Sequence, residues 1–186
     1  MFEVVGIEPD TAVAEATLAR GLPVRAGFFP DVLAADERFD VIVFNDVLEH
    51  IPDLDGTLKA CHRHLLADGL LVVNAPDRRG ALYRMSRLLL RMGSPGSFNR
   101  MWQEGFPSPH VHYFDDATLL GIASRYGFAA CGTQRLASVS AAGLYDRVRY
   151  SRDVPAWKAA AVTLAVTLMM PVLRSSPSDI TAWLLR

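Results

Sequence analysis

A short apolar run followed at once by polar and acidic residues is the feature that most constrains this chain. The run Phe39–Phe44 reads FDVIVF and is continuously apolar after Asp40, which is typical of a strand covered on both faces of a parallel sheet. The polar residues that follow it are Asn45, Asp46, Glu49 and His50. Because strands of open α/β sheets end at the ligand crevice, this pattern predicts a ligand site. The alternative is a loop in which Asp46 caps a helix and Glu49 faces solvent.

Strands and helices alternate along the rest of the chain. Predicted strands are Phe2–Ile7, Pro23–Ala26, Phe39–Phe44, Leu70–Val73, Ala129–Ser138 and Ile180–Leu185. Predicted helices are Ala12–Arg20, a segment with Leu54, Leu58, Cys61 and Leu65 at helical spacing, Ala81–Met92, a segment from Asp116 to Gly127, and Val154–Leu173. Asp10 or Thr11 is expected to cap the first helix, Asp115 or Asp116 the fourth, and 67–69 to form a turn. This alternation favours one α/β domain over residues 1–186, with a mostly parallel sheet and one antiparallel strand near its C-terminal end.

Residues 74 to 109 interrupt the alternation and are rich in arginine. In the predicted helix Ala81–Met92, the arginines 84, 87 and 91 fall on one face, and Met85, Leu88, Leu89 and Met92 fall on the other. This segment is predicted to cover an anionic or lipid-like molecule, or to contact a membrane surface. The alternative is an ordinary solvated helix face.

Composition excludes several classes of protein. The net charge is −1, so nothing points to nucleic acid. Cys61 and Cys131 lie far apart, which argues against a disulfide framework or a zinc site, and no metal site is predicted. The uncharged run Ala159–Leu173 is shorter than the roughly 20 residues of a membrane span, so a buried or interfacial helix is expected. A cytoplasmic location is predicted, with contact at the inner membrane face as an alternative.

A second candidate ligand residue is Glu8, in the segment EVVGIEPD that spans residues 3–10. An acid directly after a buried strand can accept hydrogen bonds from both ribose hydroxyls of a nucleotide. Glu8 and Asp10 could instead simply favour the start of a helix. A dehydrogenase that binds NAD would show the same feature, so Glu8 alone does not name the cofactor.

Four segments in order resemble the class I S-adenosylmethionine-dependent methyltransferases, in particular the group that includes ubiquinone-biosynthesis enzymes. They are VVGIEPD, AGFFPD, FDVIVFNDVLEHIPD and LLADGLLVVNAPD, and HVHYFDDATLLGIASRYGF resembles a later segment of the family. The resemblance covers residues 2 to about 130. It implies a Rossmann-like methyltransferase sheet, S-adenosylmethionine as cofactor and a small or lipid-like acceptor, with 78–112 as an acceptor or lid insertion.

The resemblance also implies cofactor contacts for five residues. Glu8 would bind the ribose, Gly27 and Phe28 would lie beside the adenine, and Asn45 and Asp46 would lie near the methionine end. Phe28 stands where the family often has an acid. The family's first strand and GxGxG turn have no counterpart before residue 2, which predicts an incomplete form of the enzyme. Strands 2–7 and 39–44 must then pair with each other or leave exposed edges. A non-enzymatic remnant that acts as a binding or membrane-surface module is the alternative.

Two histidines are the predicted acceptor-side bases. His110 and His112 flank Val111, and alternate residues of an extended segment point the same way. A histidine near neutral pKa could take the proton from an acceptor hydroxyl as its oxygen attacks the methyl group. The alternative is that one of them only packs against the next helix. His50 is predicted to be a structural residue of its motif.

Overall fold

A computed structural model describes residues 3–136, 142–150, 155–175 and 178–186. The strands are β1 (Gly6–Glu8), β2 (Val24–Ala26), β3 (Phe39–Asn45), β4 (Leu65–Pro76), β5 (Ala130–Leu136) and β6 (Ile180–Leu185). The helices are α1 (Thr11–Ala19), α2 (Leu54–His64), α3 (Ala81–Arg91), α4 (Gly96–Met101), α5 (Asp116–Ala123), α6 (Leu144–Tyr150) and α7 (Ala156–Ser175), with 3₁₀ turns at Leu48–His50 and Ser124–Tyr126. The short helices α4 and α6 were not predicted. The predicted element ends at Phe2, residues 137–138 and Val154 lie outside the described residues.

Side-chain caps fix where α1 and α5 begin. The carboxylate of Asp10 accepts hydrogen bonds from the backbone N–H groups of Ala12 and Val13, at 2.9 and 3.1 Å, and so starts α1. Asp115 and Thr118 form a reciprocal capping box at the start of α5. Asp10 and Asp115 are therefore the caps, rather than Thr11 and Asp116.

The larger sheet has four strands in the order β3-β4-β6-β5. β3 and β4 are parallel, and β6 lies antiparallel to both β4 and β5. Three strands thus point one way and β6 the other, which confirms the prediction of a mostly parallel sheet with one antiparallel strand near the C-terminal end. The turn expected at 67–69 lies inside β4: Phe39 pairs with Leu65 and Val41 with Leu70, so residues 66–69 loop out of the ladder.

The two remaining strands form a sheet of their own. β1 and β2 are parallel, with Gly6 opposite Val24 and Glu8 opposite Ala26. β1 begins at Gly6 and has three residues, so it is shorter than the predicted strand Phe2–Ile7. Within the described ranges, β1 does not pair with β3, so each strand presents an unpaired edge. Of the two outcomes predicted for these strands, the structure has the exposed edges.

The core lies on one face of the larger sheet, under α2 and α5. Its sheet residues are Ile42, Phe44, Leu71, Val73, Ala75, Trp183 and Leu185, and its helix residues include Leu58, Cys61, Leu119 and Ala123. The opposite face of β3 is open: Val41 and Val43 are 47% and 58% exposed. The prediction that this strand is covered on both faces is therefore wrong for the described residues. An apolar sequence shows that a strand can be buried, but it does not show which of its faces other elements cover.

Helix α3 also differs from its predicted orientation. Its buried side chains are Tyr83 and Ser86, whereas Met85, Leu88 and Met92 of the predicted apolar face are exposed. Tyr83 is held by an aromatic cluster: its ring centroid lies 6.0 Å from that of Phe98 and 4.5 Å from that of Tyr113. These ring contacts, rather than the leucine and methionine stripe, set the face that α3 turns inward.

Helix α7 runs for 20 residues with Pro171 inside it. Trp157 and Leu168 on this helix are 73% and 72% exposed. Over the part of the chain that the structure describes, no helix is both long enough and apolar enough to cross a membrane.

Candidate functional site

Asn45 and Asp46 lie at the carboxyl end of β3, as predicted. The Asn74 side-chain amide on β4 donates to Asn45 Oδ1 at 2.8 Å, and the backbone N–H of Asp46 donates to the Asn74 carbonyl at 2.9 Å. Asp46 has a φ of +52°, in the left-handed region that few residues other than glycine adopt. The chain therefore turns sharply here, and both side chains are exposed at the end of the sheet.

Glu8, Gly27 and Phe28 come together at the corresponding end of the small sheet. The Gly27 N–H donates to the Glu8 carbonyl at 2.9 Å. Gly27 has a φ of +132°, and a Cβ there would lie 2.5 Å from Val32 Cγ1, so the position requires glycine. Phe28 is 66% exposed, which leaves its ring available to pack on a ligand.

The carboxylates of Glu8 and Asp10 have different contacts at the start of α1. Asp10 supplies the cap of α1, so the helix does not need Glu8 to begin. Glu8 is half-buried, and its Oε1 accepts only a local hydrogen bond from the Asp10 N–H, at 2.9 Å. Glu8 therefore presents a half-buried carboxylate next to the tight turn at Gly27.

The Glu49 carboxylate lies close to Asn45 and Asp46 in the sequence but is buried. Glu49 lies in the 3₁₀ turn after β3 and is 1% exposed. Neither of its carboxylate oxygens has a hydrogen-bond partner in the described part of the chain. Burial, reinforced by the nearby charge of Asp46, raises the pKa of Glu49 to about 7. The alternative prediction, a solvent-facing Glu49, is wrong because the 3₁₀ turn directs this side chain inward.

Backbone hydrogen bonds bring the histidine segment against this turn. The carbonyl of Glu49 accepts from the N–H groups of Val111 and His112, at 2.8 and 3.1 Å. The His50 and His110 rings then meet, with centroids 4.7 Å apart and planes at 65°. One ligand-type atom from each of Glu49, His50 and His110 lies within 4.8 Å of the other two. We call these three residues the Glu49 cluster.

The predicted pair of bases, His110 and His112, has two different environments. His110 Nδ1 lies 3.2 Å from the Tyr113 hydroxyl, and burial together with the neighbouring His50 lowers the pKa of His110. The His112 ring stacks on that of Phe114, with centroids 5.9 Å apart. Its Nε2 is buried and has no hydrogen-bond partner among the described residues. His110 and His112 were both predicted as bases from the sequence, whereas His50 was predicted to be only a structural residue.

A cleft of about 400 Å³ lies beside the start of α3 and is rich in arginine. It is lined by Arg78, Arg79, Arg84, Arg87, Asp115 and Arg135. Arg78 pairs with Asp115 at 2.7 Å, and Arg79 with Asp116 at 3.0 Å. Since one carboxylate faces five guanidinium groups in the lining, the cleft favours an anion.

Comparison with known proteins gives consistent results. The methyltransferase domain family matches residues 1–131. The ubiquinone biosynthesis O-methyltransferase of Glaesserella parasuis serovar 5 is 31% identical in an alignment 67 residues long, which covers 34% of this chain. The match spans 28% of that relative's own length.

Solved structures share the fold at low sequence identity. A SAM-dependent methyltransferase from Thermotoga maritima has a TM-score of 0.60 at 16% identity, and covers 97% of this chain and 71% of its own. The cyclopropane synthase MmaA2 of Mycobacterium tuberculosis has a TM-score of 0.64 at 18% identity, over 98% and 69%. The mycolic acid cyclopropane synthase CmaA1, solved with SAH, has a TM-score of 0.60 at 19% identity, over 98% and 68%.

These findings confirm the predicted class I fold and support S-adenosylmethionine as the cofactor, and the NAD alternative receives no support. Because the family match covers well over half of the sequence, the chain belongs to the methyltransferase domain family and has the α/β fold of S-adenosylmethionine-dependent methyltransferases.

Proposed function

We propose that this protein takes part in the transfer of a methyl group from S-adenosylmethionine to an oxygen atom of a small or lipid-like acceptor. The observation that carries the proposal is the Glu49 cluster. It places a buried, unpartnered carboxylate and two imidazoles at the turn that follows Asn45 and Asp46, where ligands of α/β folds bind. The resemblance to a ubiquinone biosynthesis O-methyltransferase supports an oxygen acceptor.

The cofactor would be held by the two strand ends described above. Glu8 is the proposed ribose ligand, with Gly27 and Phe28 beside the adenine, and Asn45 and Asp46 near the methionine end. When bound, the cofactor supplies a methyl group on a positively charged sulfur, open to in-line attack. The protein contributes mainly proximity and orientation to such a displacement.

The acceptor would lie against the Glu49 cluster, with His112 as the proposed base. As the acceptor oxygen forms its bond to the methyl carbon, the carbon–sulfur bond breaks, and the hydroxyl proton passes to His112 Nε2. That nitrogen has no hydrogen-bond partner among the described residues, so no other protein group competes for it. His110 is the second candidate, because it lies in the same segment with its Nδ1 3.2 Å from the Tyr113 hydroxyl.

The segment 78–112 is the proposed acceptor region. It carries four of the five arginines that line the cleft, and its aromatic cluster packs on Tyr113, next to the proposed base segment. The charge of the cleft favours an acceptor with an anionic group. The exposed apolar residues of α3 and α7 favour contact with a membrane surface at the inner face, which would present a lipid-like acceptor.

The 186-residue polypeptide by itself is expected to bind S-adenosylmethionine weakly. Glu8 and Asn45 lie on strands that do not pair in the described structure, and no GxGxG segment occurs in the sequence. Isothermal titration with S-adenosylmethionine should therefore show no micromolar binding. A micromolar dissociation constant for this polypeptide would contradict the expectation.

A polypeptide extended at its N-terminus by a strand and a glycine-rich turn tests the proposed activity. It should bind S-adenosylmethionine and transfer a tritiated methyl group to a dihydroxybenzene acceptor. If the extended polypeptide folds, as judged by circular dichroism, but neither binds the cofactor nor transfers the methyl group, the proposal is wrong. The non-enzymatic binding module, which the unpaired β1 and β3 edges favour, would then be the better interpretation.

A further inference from the structure

The Glu49 cluster has the composition of a metal site. A carboxylate and two imidazoles converge so that one ligand-type atom of each lies within 4.8 Å of the others. Glu49 is 1% exposed, and neither carboxylate oxygen has a partner in the described part of the chain. A buried carboxylate without a hydrogen-bond donor is costly, so a cation between the three side chains would satisfy an otherwise unexplained group.

The hydrogen bonds around the two histidines indicate which ring nitrogens keep a lone pair for a metal. His50 Nδ1 lies 3.0 Å from the Pro109 carbonyl, which can only accept, so Nδ1 carries the proton. The Tyr113 hydroxyl donates to the Met101 carbonyl at 2.7 Å, so it accepts from His110 Nδ1. In both rings Nε2 keeps its lone pair. Metal-binding histidines are typically held in this way, by donation from the other nitrogen to an oxygen.

We propose that Glu49, His50 and His110 bind one divalent transition-metal ion through the Glu49 carboxylate and the two Nε2 atoms. Two imidazoles with one carboxylate suit zinc, cobalt or iron(II) better than magnesium or calcium, which prefer all-oxygen sites. Metal–ligand bonds of about 2.0–2.2 Å would bring the three atoms to about 3.3 Å from one another. The cluster would therefore tighten on binding, and three protein ligands would leave at least one coordination position open.

The metal site would assist the proposed methyl transfer, and its role in catalysis rests on that proposed function. An acceptor oxygen in the open position would be polarised, so its hydroxyl would lose a proton more readily to His112 as the oxygen attacks the methyl carbon. His110 then serves as a ligand, which leaves His112 as the base. The substrate class would be an acceptor with a metal-binding hydroxyl.

The binding test needs neither cofactor nor acceptor. The 186-residue polypeptide is stripped with EDTA, exchanged into chelator-free buffer and titrated with zinc chloride, and separately with magnesium chloride. We expect one zinc ion per chain and no saturable magnesium binding. Glu49→Gln, His50→Gln and His110→Gln should each weaken zinc binding by about tenfold or more. Cobalt(II) should give d–d absorption bands that each of these substitutions changes.

Matched controls use other groups that can bind zinc. Three control substitutions should keep the zinc affinity within about twofold. They are His112→Gln, two residues from His110, and His62→Gln and Cys131→Ser, at exposed positions.

Absence of stoichiometric zinc binding overturns the inference, as does binding that survives Glu49→Gln in a variant with an unchanged circular dichroism spectrum. Zinc binding without methyl transfer in the extended polypeptide would leave the site standing and refute the proposed function. Methyl transfer that is unaffected by EDTA would refute the role of the metal.

Discussion

The buried carboxylate of Glu49 predicts an unusual dependence of folding stability on pH. The side chain is 1% exposed and unpartnered in the described structure, and burial raises its pKa from 4.5 to about 7. An acid whose pKa is higher in the folded protein favours the folded state only when protonated. Replacing it with glutamine keeps the shape and removes the charge, so Glu49→Gln is the informative perturbation.

The magnitude follows from the two pKa values. The difference between about 7 and 4.5 is about 2.5, and at 1.36 kcal/mol for each pKa unit it corresponds to about 3 kcal/mol. Below pH 4.5 both states are protonated and no penalty applies. The penalty grows as pH rises from 4.5 to about 7 and is then constant. The wild-type protein should therefore lose about 2–3 kcal/mol relative to Glu49→Gln between pH 5 and pH 8.

Urea unfolding at pH 5, 6, 7 and 8 in the presence of EDTA measures this difference. The quantity compared is the free energy of unfolding of Glu49→Gln minus that of the wild type, which cancels titrations common to both proteins. Glu104→Gln, a substitution of the same kind at an exposed position, should give a difference of less than about 0.5 kcal/mol at each pH. Zinc in place of EDTA should remove the advantage of Glu49→Gln, because the metal compensates the carboxylate.

A difference in unfolding free energy that does not change with pH would contradict this prediction. It would mean that the Glu49 carboxylate is already compensated in the metal-free protein. A difference that falls with rising pH would have the wrong sign for a buried, uncompensated acid and would show that the carboxylate is paired.

Three further predictions concern residues of the proposed cofactor and acceptor sites. Gly27→Ala should lower the free energy of unfolding by about 1–3 kcal/mol, because its φ is +132°, whereas Gly121→Ala, in open space on α5, should raise it by about 0.5–1 kcal/mol; equal effects in urea unfolding would contradict this. Glu8→Ala should weaken S-adenosylmethionine binding to the extended polypeptide by about 1–3 kcal/mol with little effect on folding, and unchanged affinity in isothermal titration would exclude the proposed ribose contact. His112→Ala should keep the cofactor affinity and slow methyl transfer by up to about a hundredfold, and normal turnover would transfer the role to His110 or to no side-chain base.

Local features of this protein could be predicted from its sequence because they depend on neighbouring residues. The strand at 39–45 and the helix at 54–64 lie where the apolar pattern placed them. Asp10 caps α1 because its side chain reaches N–H groups two and three residues later. Each of these is set within a few residues of chain.

The prediction that β3 is covered on both faces was wrong for a different kind of reason. Val41 and Val43 have the same apolar character as the buried Ile42 and Phe44, so composition cannot distinguish the two faces. Helix α3 shows the same limit, because rings of Phe98 and Tyr113 select its inward face. Which apolar surface is buried depends on where other elements pack.

The Glu49 cluster was likewise decided by the tertiary structure. Its residues were visible in two motifs, but Glu49 and His110 are separated by about sixty positions of chain. They meet because the Glu49 carbonyl binds two N–H groups of the histidine segment, and because Tyr113 packs against Trp102. The order of residues along the chain shows that polar groups follow β3 and precede α5. Only the path of residues 78–112 over the sheet end brought those groups within reach of one ligand, since hydrogen bonds and ring contacts between distant segments leave no periodic signal.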